Sequence, residues 1–240
     1  MTAPDSNLKR CHSFVVCHLS DEQKGDPKLV QQIPFLTISR QTGAKARSLG
    51  NQLQKLLGKE FPRKDNDWTI FDRNLVQTAM KEHGLPERFA RYLPEGHISE
   101  IGSLIGELLG LHPPIYELNQ DVFETLIHLA NLGGVILVGR GAHVVTRKLS
   151  HGFHLRLVGS KQTRAKHAAE YYKISYDEAV EFISYEDKAR RIWVRENFDE
   201  DINDPSCYDL CINTDRIPVE DAAHLIVDEM KRRFAVPAAT

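Results

Sequence analysis

Between positions 135 and 138 the chain reads Val-Ile-Leu-Val, and the run stops at once on Gly139-Arg140-Gly141. Four apolar residues with no polar alternation offer no face to water. Such a run reads as a strand covered on both sides, the habit of a parallel sheet. Four other short β-rich stretches also read as strands, at 35–38, 68–71, 153–158 and 210–213. Between them the apolar period changes to that of a helix. Leu49, Leu53, Leu56 and Leu57 make one stripe, and Leu75, Val76, Ala79 and Met80 a second that Gly84 and Pro86 close. Further stripes are Val122, Leu126, Leu129 and Ala130, closed by Gly133-Gly134, then Ala179, Phe182 and Ile183, and finally Ala222, Leu225 and Ile226. Ser160 is a good N-cap, Ser175 with Glu178 forms a capping box, and Pro218 stands where the last helix starts. Strands alternating with helices predict an α/β fold, a parallel sheet with helices on both faces.

Composition narrows the function. The chain has 240 residues, 41% hydrophobic and 27% charged, which suits one large folded domain. Residues 1–33 are polar and lack periodicity, so they read as a flexible or loosely docked extension before a domain over 34–236 and a short tail at 237–240. Residues 85–120 read as helical but broken by Pro94-Glu95-Gly96 and Pro113-Pro114. A net charge of −2 gives no global positive field, so DNA, RNA and anionic membranes are not expected partners. No apolar stretch approaches the roughly 20 residues that span a bilayer. Four cysteines make no disulfide framework, so a reducing cytoplasm is expected. Cys11-His12 and Cys17-His18 have the only metal-like spacing, but adjacent ligands strain a tetrahedral site, and no metal site is assigned. Cys207 and Cys211 flank a strand and read as small core residues, and Trp68 reads as core. Oligomeric state is left open.

Parallel sheets bind ligands beyond the carboxyl ends of their strands. Here those ends carry chemistry: residues 39–47, Asp72-Arg73, Gly139-Arg140 and Asn213-Thr214. The first is a polar, Gly-containing turn opening a helix, and a helix N-terminus favours phosphate through free N–H groups and its dipole. It does not match G-x-x-x-x-G-K-[ST]: Arg40 takes the first Gly position, Lys45 the second, Ala46 the Lys and Arg47 the Ser/Thr. Arg140 can fork onto phosphate or a base carbonyl, or form a structural salt bridge. Arg164 on one helix, and Lys188, Arg190, Arg191 and Arg195 on another, can neutralise a transferring phosphoryl group. The plainer reading pairs them with Glu186, Asp187 and Glu196 on a solvated helix.

Five segments in order then carry a resemblance: Leu36 to Gly43, Phe71 to Leu75, Val135 to Ala142, Asp187 to Arg190 and Asp204 to Thr214. Together they resemble the cytidylate kinase-like family of P-loop kinases, across most of the chain. The resemblance implies a nucleoside-monophosphate-kinase fold with an acceptor insertion near 72–121 and an Arg-bearing lid near 184–205. It implies that Gly43, Ala44, Lys45, Ala46, Arg47 and Ser48, with Arg191, hold ATP, whose phosphates Mg²⁺ bridges. Asp72, Arg73, Gly139, Arg140, Arg164, Asp187 and Arg195 would face the acceptor nucleotide. Lys45, Arg47 and Arg190 would be catalytic, through positioning and charge neutralisation. The family loop reads Ser-Arg-x-x-Gly-Ser-Gly-Gly-Arg, and its arginine corresponds to Arg47. Ala44-Lys45-Ala46 here replaces Ser-Gly-Gly, which removes backbone freedom for close phosphate approach.

The expected function is therefore ATP-dependent phosphoryl transfer to a CMP- or dCMP-type monophosphate. Two alternatives stand beside it. One is a catalytically weak or inactive nucleotide-binding or regulatory protein on the same fold. The other is a kinase for a different small phosphate acceptor. For His97, His112 and Tyr116 in the insertion, packing or surface roles are favoured over ligand contact.

Overall fold

The structure, a computed structural model, describes residues 33–62, 68–72, 126–127, 129–139 and 141–234. The Cys-His dipeptides, the 75–80 helix stripe and the insertion residues His97, His112 and Tyr116 lie outside the described residues, as do Arg73 and Arg140. Among the described residues five strands form one sheet: β1 Phe35–Arg40, β2 Thr69–Asp72, β3 Val135–Val138, β4 Gly152–Val158 and β5 Leu210–Asn213. They lie in the order β2-β3-β1-β4-β5, and every pairing is parallel. Helices with both ends among the described residues accompany them: α1 Ala46–Glu60, α2 Ala142–Thr146, α3 Lys161–Tyr172, α4 Tyr176–Phe198 and α5 Val219–Phe234.

The order places β1 at the point where the connections reverse. From β1 the chain crosses outward to β2, whereas from β2, β3 and β4 it steps the other way. Right-handed crossovers in opposite directions leave the sheet on opposite faces. The turn after β1 therefore stands apart from the turns after its neighbours, which is where an open parallel sheet leaves a crevice.

Apolar packing fixes the two faces. Leu36 and Ile38 of β1 and Leu155 and Leu157 of β4 point to one side, where they meet Leu49, Leu53 and Leu57 of α1, Trp68, and Ala222, Ala223, Ile226 and Met230 of α5. Trp68 is fully buried, as expected of a core residue. Leu225 is the exception on α5. At 47% exposed it lies off the buried stripe, because Ala222, Ala223, Ile226, Val227 and Met230 already fill the helix face that meets the sheet. The opposite side holds Phe35, Phe71, Val135, Leu137, Leu129, Ala130 and Ala142. Cys211 is exposed and Cys207 half-buried, which corrects the expectation of core cysteines: β5 is an edge strand that alternates burial rather than hiding both faces.

Helices α3 and α4 form a hairpin packed through Ala165, Ala168, Ala179 and Ile183. Ser160 caps α3 by accepting from the Thr163 amide, and the Ser175–Glu178 capping box opens α4 as the sequence predicts. At 23 residues α4 is the longest described helix. It runs from α3 to α2, where Phe198 and Trp193 pack so closely on Gly141 that a Cβ there would lie 2.5 Å from the Phe198 ring.

On the second face, β1 and β4 change character along their length. Phe35 pairs with Gly152, Thr37 with His154 and Ser39 with Arg156. Thr37 Oγ1 lies 2.9 Å from His154 Nδ1, and the His154 amide donates to Asp209 Oδ2 at 2.7 Å. Nearby, His143 of α2 is buried with neither ring nitrogen hydrogen-bonded, its ring 4.6 Å from that of Tyr208. Burial, with further contributions from His154, Arg156 and Arg147, lowers its pKa to about 3. The unfolded imidazole takes a proton near pH 6.5 and the folded one only near 3, so the unfolded chain binds more protons between those values. Stability is expected to be fully present above about pH 6.5 and to fall as the pH drops through this window. Denaturant midpoints measured from pH 7 to 4 should fall less steeply for His143→Phe than for the wild type, and an unchanged slope would contradict a buried neutral imidazole.

Candidate active site at the β1 turn

The turn after β1 is anchored before it is functional. The Gln41 amide donates to the Leu157 carbonyl, and its Oε1 accepts from the Gly159 amide, both at 3.0 Å. Gly43 then takes φ +82, and a Cβ at this position would sit 2.2 Å from the Arg164 carbonyl oxygen. Positive φ and this close approach both require glycine. Lys45 is the N-cap of α1 and is itself left-handed, at φ 56, where the resembled family has glycine. It makes no side-chain cap, and α1 has no acidic residue in its first turn. The backbone N–H groups of Gly43, Lys45, Ala46, Arg47 and Ser48 have no acceptor among the described residues. Oriented amides at a helix N-terminus, with no acidic residue in the helix's first turn, make an anion-binding turn.

One amide of the turn is already taken. Thr42 donates through its N–H to Asp187 Oδ1 at 2.7 Å and through its hydroxyl to the same oxygen at 2.9 Å. Asp187 belongs to α4, so a carboxylate from the long helix sits on the turn's backbone. Arg164 completes the junction: Nε donates to the Gly159 carbonyl at 2.9 Å, and Nη1 to the Thr42 carbonyl at 2.9 Å and to Asp187 Oδ2 at 2.6 Å. Arg190 also reaches Thr42 Oγ1, while bonding Asp187 at 3.2 Å and Glu186 at 2.8 Å. His167 Nδ1 lies 3.2 Å from the Gly43 carbonyl.

Of the residues picked from sequence, Gly43, Ala44, Lys45, Ala46, Arg164, Asp187 and Arg190 therefore meet at one place. Arg47 and Ser48 are on the same turn but exposed, and Arg47 donates to the Tyr171 hydroxyl of α3 at 2.5 Å. Arg191 reaches the same region from α4. Asp72 ends β2 and Gly139 directly follows β3, on the neighbouring flank of the sheet. Arg195 stands apart: its side chain is 65% exposed and pairs with Asp199 at 3.5 Å. Arg190 is paired with Glu186 and Asp187 as the plainer reading of the α4 charges has it, but its side chain is 11% exposed and meets Thr42 rather than solvent.

A cavity of about 240 Å³ lies between this turn and α4, lined by Arg40, Arg156, Lys188, Arg190, Arg191 and Asp187 among others. The sequence reading missed Arg156. Its signal was available: a charged residue inside the apolar run Leu155-Arg156-Leu157-Val158 of a parallel strand is too costly to be accidental.

The sequence model of the Cytidylate kinase-like family matches residues 35–216. The chain belongs to the cytidylate kinase-like family. The matched range runs from β1 through β5, so the family assignment covers the whole sheet and the β1 turn. Among solved structures, an uncharacterized protein from Eubacterium ventriosum superposes with a TM-score of 0.62 at 18% identity, covering 84% of this chain and 99% of that one. A shikimate kinase from Bacteroides thetaiotaomicron gives 0.45 at 16% identity, over 83% and 96% of the two chains. Shikimate kinase from Acinetobacter baumannii gives 0.44 at 13% identity, over 86% and 97%. No curated protein matches the chain. The five-stranded parallel sheet with its helices is thus the kinase-like fold of this family, and no described helix is long and apolar enough to cross a membrane.

Two substitutions test the junction. Gly43→Ala introduces both a clash and a left-handed residue and is expected to cost about 2–3 kcal/mol, read by denaturant unfolding. Arg164→Lys keeps charge but loses the fork. Amide exchange at Thr42 and Ala44 should then accelerate at least tenfold while the α1–α5 core stays protected; unaltered exchange would show that Arg164 does not hold the turn.

Proposed function

We propose that this member of the cytidylate kinase-like family transfers a phosphoryl group from ATP to a nucleotide acceptor, a pyrimidine monophosphate of the CMP or dCMP type. The single observation that carries the reading is the β1 turn, with five backbone N–H groups lacking an acceptor among the described residues and cationic side chains around it. The N–H groups of Gly43 and of Lys45, Ala46, Arg47 and Ser48 would hold the ATP phosphates, with the Lys45 ammonium and the Arg47 guanidinium as neighbouring cations. When bound, Mg²⁺ supplies charge neutralisation across the phosphates of the nucleotide. Arg190 and Arg191, on α4, would close over the transferring group and exclude water. Asp72 and Gly139 would face the acceptor from the β2–β3 flank, and the family resemblance gives Arg73 and Arg140 an acceptor-binding role.

A second reading is favoured by a specific contact. The Asp187 carboxylate occupies the Thr42 amide, and Lys45 is left-handed without being glycine. Both suit a protein that binds nucleotide with little turnover. Incubation with ATP, Mg²⁺ and a panel of nucleoside monophosphates separates the two. The kinase reading expects ADP formation above background with at least one pyrimidine monophosphate, and a fall of roughly 10²–10³-fold in kcat for Arg47→Ala. Absence of ADP formation above background with every acceptor would sink it, and calorimetric binding of ATP under the same conditions would then support the second reading.

A further inference from the structure

Arg47 stands where a helix least favours it. It is exposed in the first turn of α1, two positions after the Lys45 N-cap. The positive end of the helix dipole repels a cation there, and no carboxylate in that turn offsets it. Nor does Arg47 form an ion pair among the described residues. Its side chain goes instead to α3, where Nη1 donates to the Tyr171 hydroxyl at 2.5 Å and Cζ lies 5.9 Å from the centre of that ring.

Tyr171 is the last of a series. Arg164, His167 and Tyr171 recur at i, i+3 and i+7, so they share one face of α3. Each meets the β1 turn one step further along. Arg164 donates to the Thr42 carbonyl, His167 Nδ1 lies 3.2 Å from the Gly43 carbonyl, and Tyr171 takes Arg47. Burial falls off in the same order on both sides: Arg164 and Thr42 are buried, His167 and Gly43 half-buried, Tyr171 and Arg47 exposed. The Tyr171 ring is itself braced. It stands edge-on to Tyr172 at 4.8 Å, and Tyr172 stands edge-on to Phe182 of α4 at 4.8 Å. Phe182 in turn packs on the apolar cluster that joins α3 to α4.

An exposed bond between two side chains stabilises little by itself, but it can set a direction. A free arginine loses much rotamer freedom when a ligand orders it, and one already laid on a braced ring loses less. The acceptor matters too. A carboxylate would hold Arg47 more firmly and cancel the charge that a phosphate seeks. A phenol hydroxyl and a ring face orient the cation and leave its charge in place.

We propose that Tyr171 is a positioning residue for Arg47: it holds the guanidinium beside the β1 turn, so that Arg47 meets the phosphates of a nucleotide already ordered. This deepens the kinase reading and rests on it for the ligand and for the role of Arg47.

The test uses the full chain and Tyr171→Phe, which keeps the ring and its bracing and removes the hydroxyl. Position 171 is 58% exposed, so the melting temperature should stay within about 2 °C of the wild type. In the ligand-free protein, the NMR order parameter of Arg47 Nε, assigned by its loss in Arg47→Ala, should fall below about 0.6 in Tyr171→Phe. An unchanged order parameter overturns the proposal. By calorimetry with ATP and Mg²⁺, Tyr171→Phe should bind about fivefold more weakly than the wild type. The double variant Arg47→Ala/Tyr171→Phe should bind no more weakly than Arg47→Ala alone, because Tyr171 acts through Arg47. Additive losses would put Tyr171 on the nucleotide itself and overturn positioning, as would equal affinity in wild type and both single variants. In steady-state assays, kcat should fall about fivefold with the acceptor KM unchanged, a split that a general folding defect does not give. ATP binding without turnover sinks the kinase reading and leaves this inference standing. An Arg47 that stays ordered without the hydroxyl sinks this inference whatever the turnover.

Discussion

The guanidinium of Arg164 holds together what the rest of the site depends on. Three elements end near one another at the carboxyl edge of the sheet: the β1 turn, the β4–α3 connection and the middle of α4. Arg164 binds a backbone carbonyl from each of the first two and the Asp187 carboxylate from the third. Side chains that donate in several directions at once are rare, and a planar cation with five donors meets this need better than an ammonium. The bond to Asp187 is also partly buried, so it is screened by salt less than a surface pair would be. With this junction in place, Gly43 must adopt its left-handed conformation beneath the Arg164 carbonyl, and the amides that follow it are presented in one direction.

Charge in this molecule is organised by depth rather than by total. The net value of −2 hides a gradient along the paired strands β1 and β4. Their amino ends bring Phe35 against Gly152, the middle brings Thr37 to His154, and the carboxyl end brings Ser39 to Arg156. A parallel sheet normally offers apolar residues on both faces. Replacing them with progressively more polar pairs toward one end weakens the local core and in return gives that end a rigid polar floor. Tyr208 and His143 pack over it and keep water from its inner side.

Much of this was legible in the sequence, and the failures are instructive. The unbroken run at Val135–Val138, the Ser160 cap and the Ser175–Glu178 box each depend on a few adjacent residues, so local chemistry decides them. The residues at strand ends followed from the parallel topology alone. Arg164 and Asp187 stood out in the sequence and meet at the β1 turn, but their partners were not legible, because which carbonyl a long side chain grips depends on how α3 and α4 fold back on the turn. Arg195 looked like a member of the cationic group since it shares a helical face with Arg191. It sits one turn too far along α4 and ends in solvent beside Asp199. Cys211 and Leu225 were taken as inward because their neighbours are apolar. An edge strand and an already filled helix face turned both outward.

Helix α4 is a single rod fixed at one end by its capping box and in its middle by Asp187. At about 1.5 Å per residue, Asp187 lies roughly 18 Å from Ser175, and Phe198 lies roughly 34 Å from it. A pivot at the α3–α4 turn therefore acts as a lever in which the far tip travels about twice as far as the middle. A swing just large enough to part the Asp187 carboxylate from the Thr42 amide would lift Phe198 and Trp193 off Gly141, at the start of α2. The β1 turn and the segment after β3 are thereby geared together, so that neither can open to a ligand without disturbing the other.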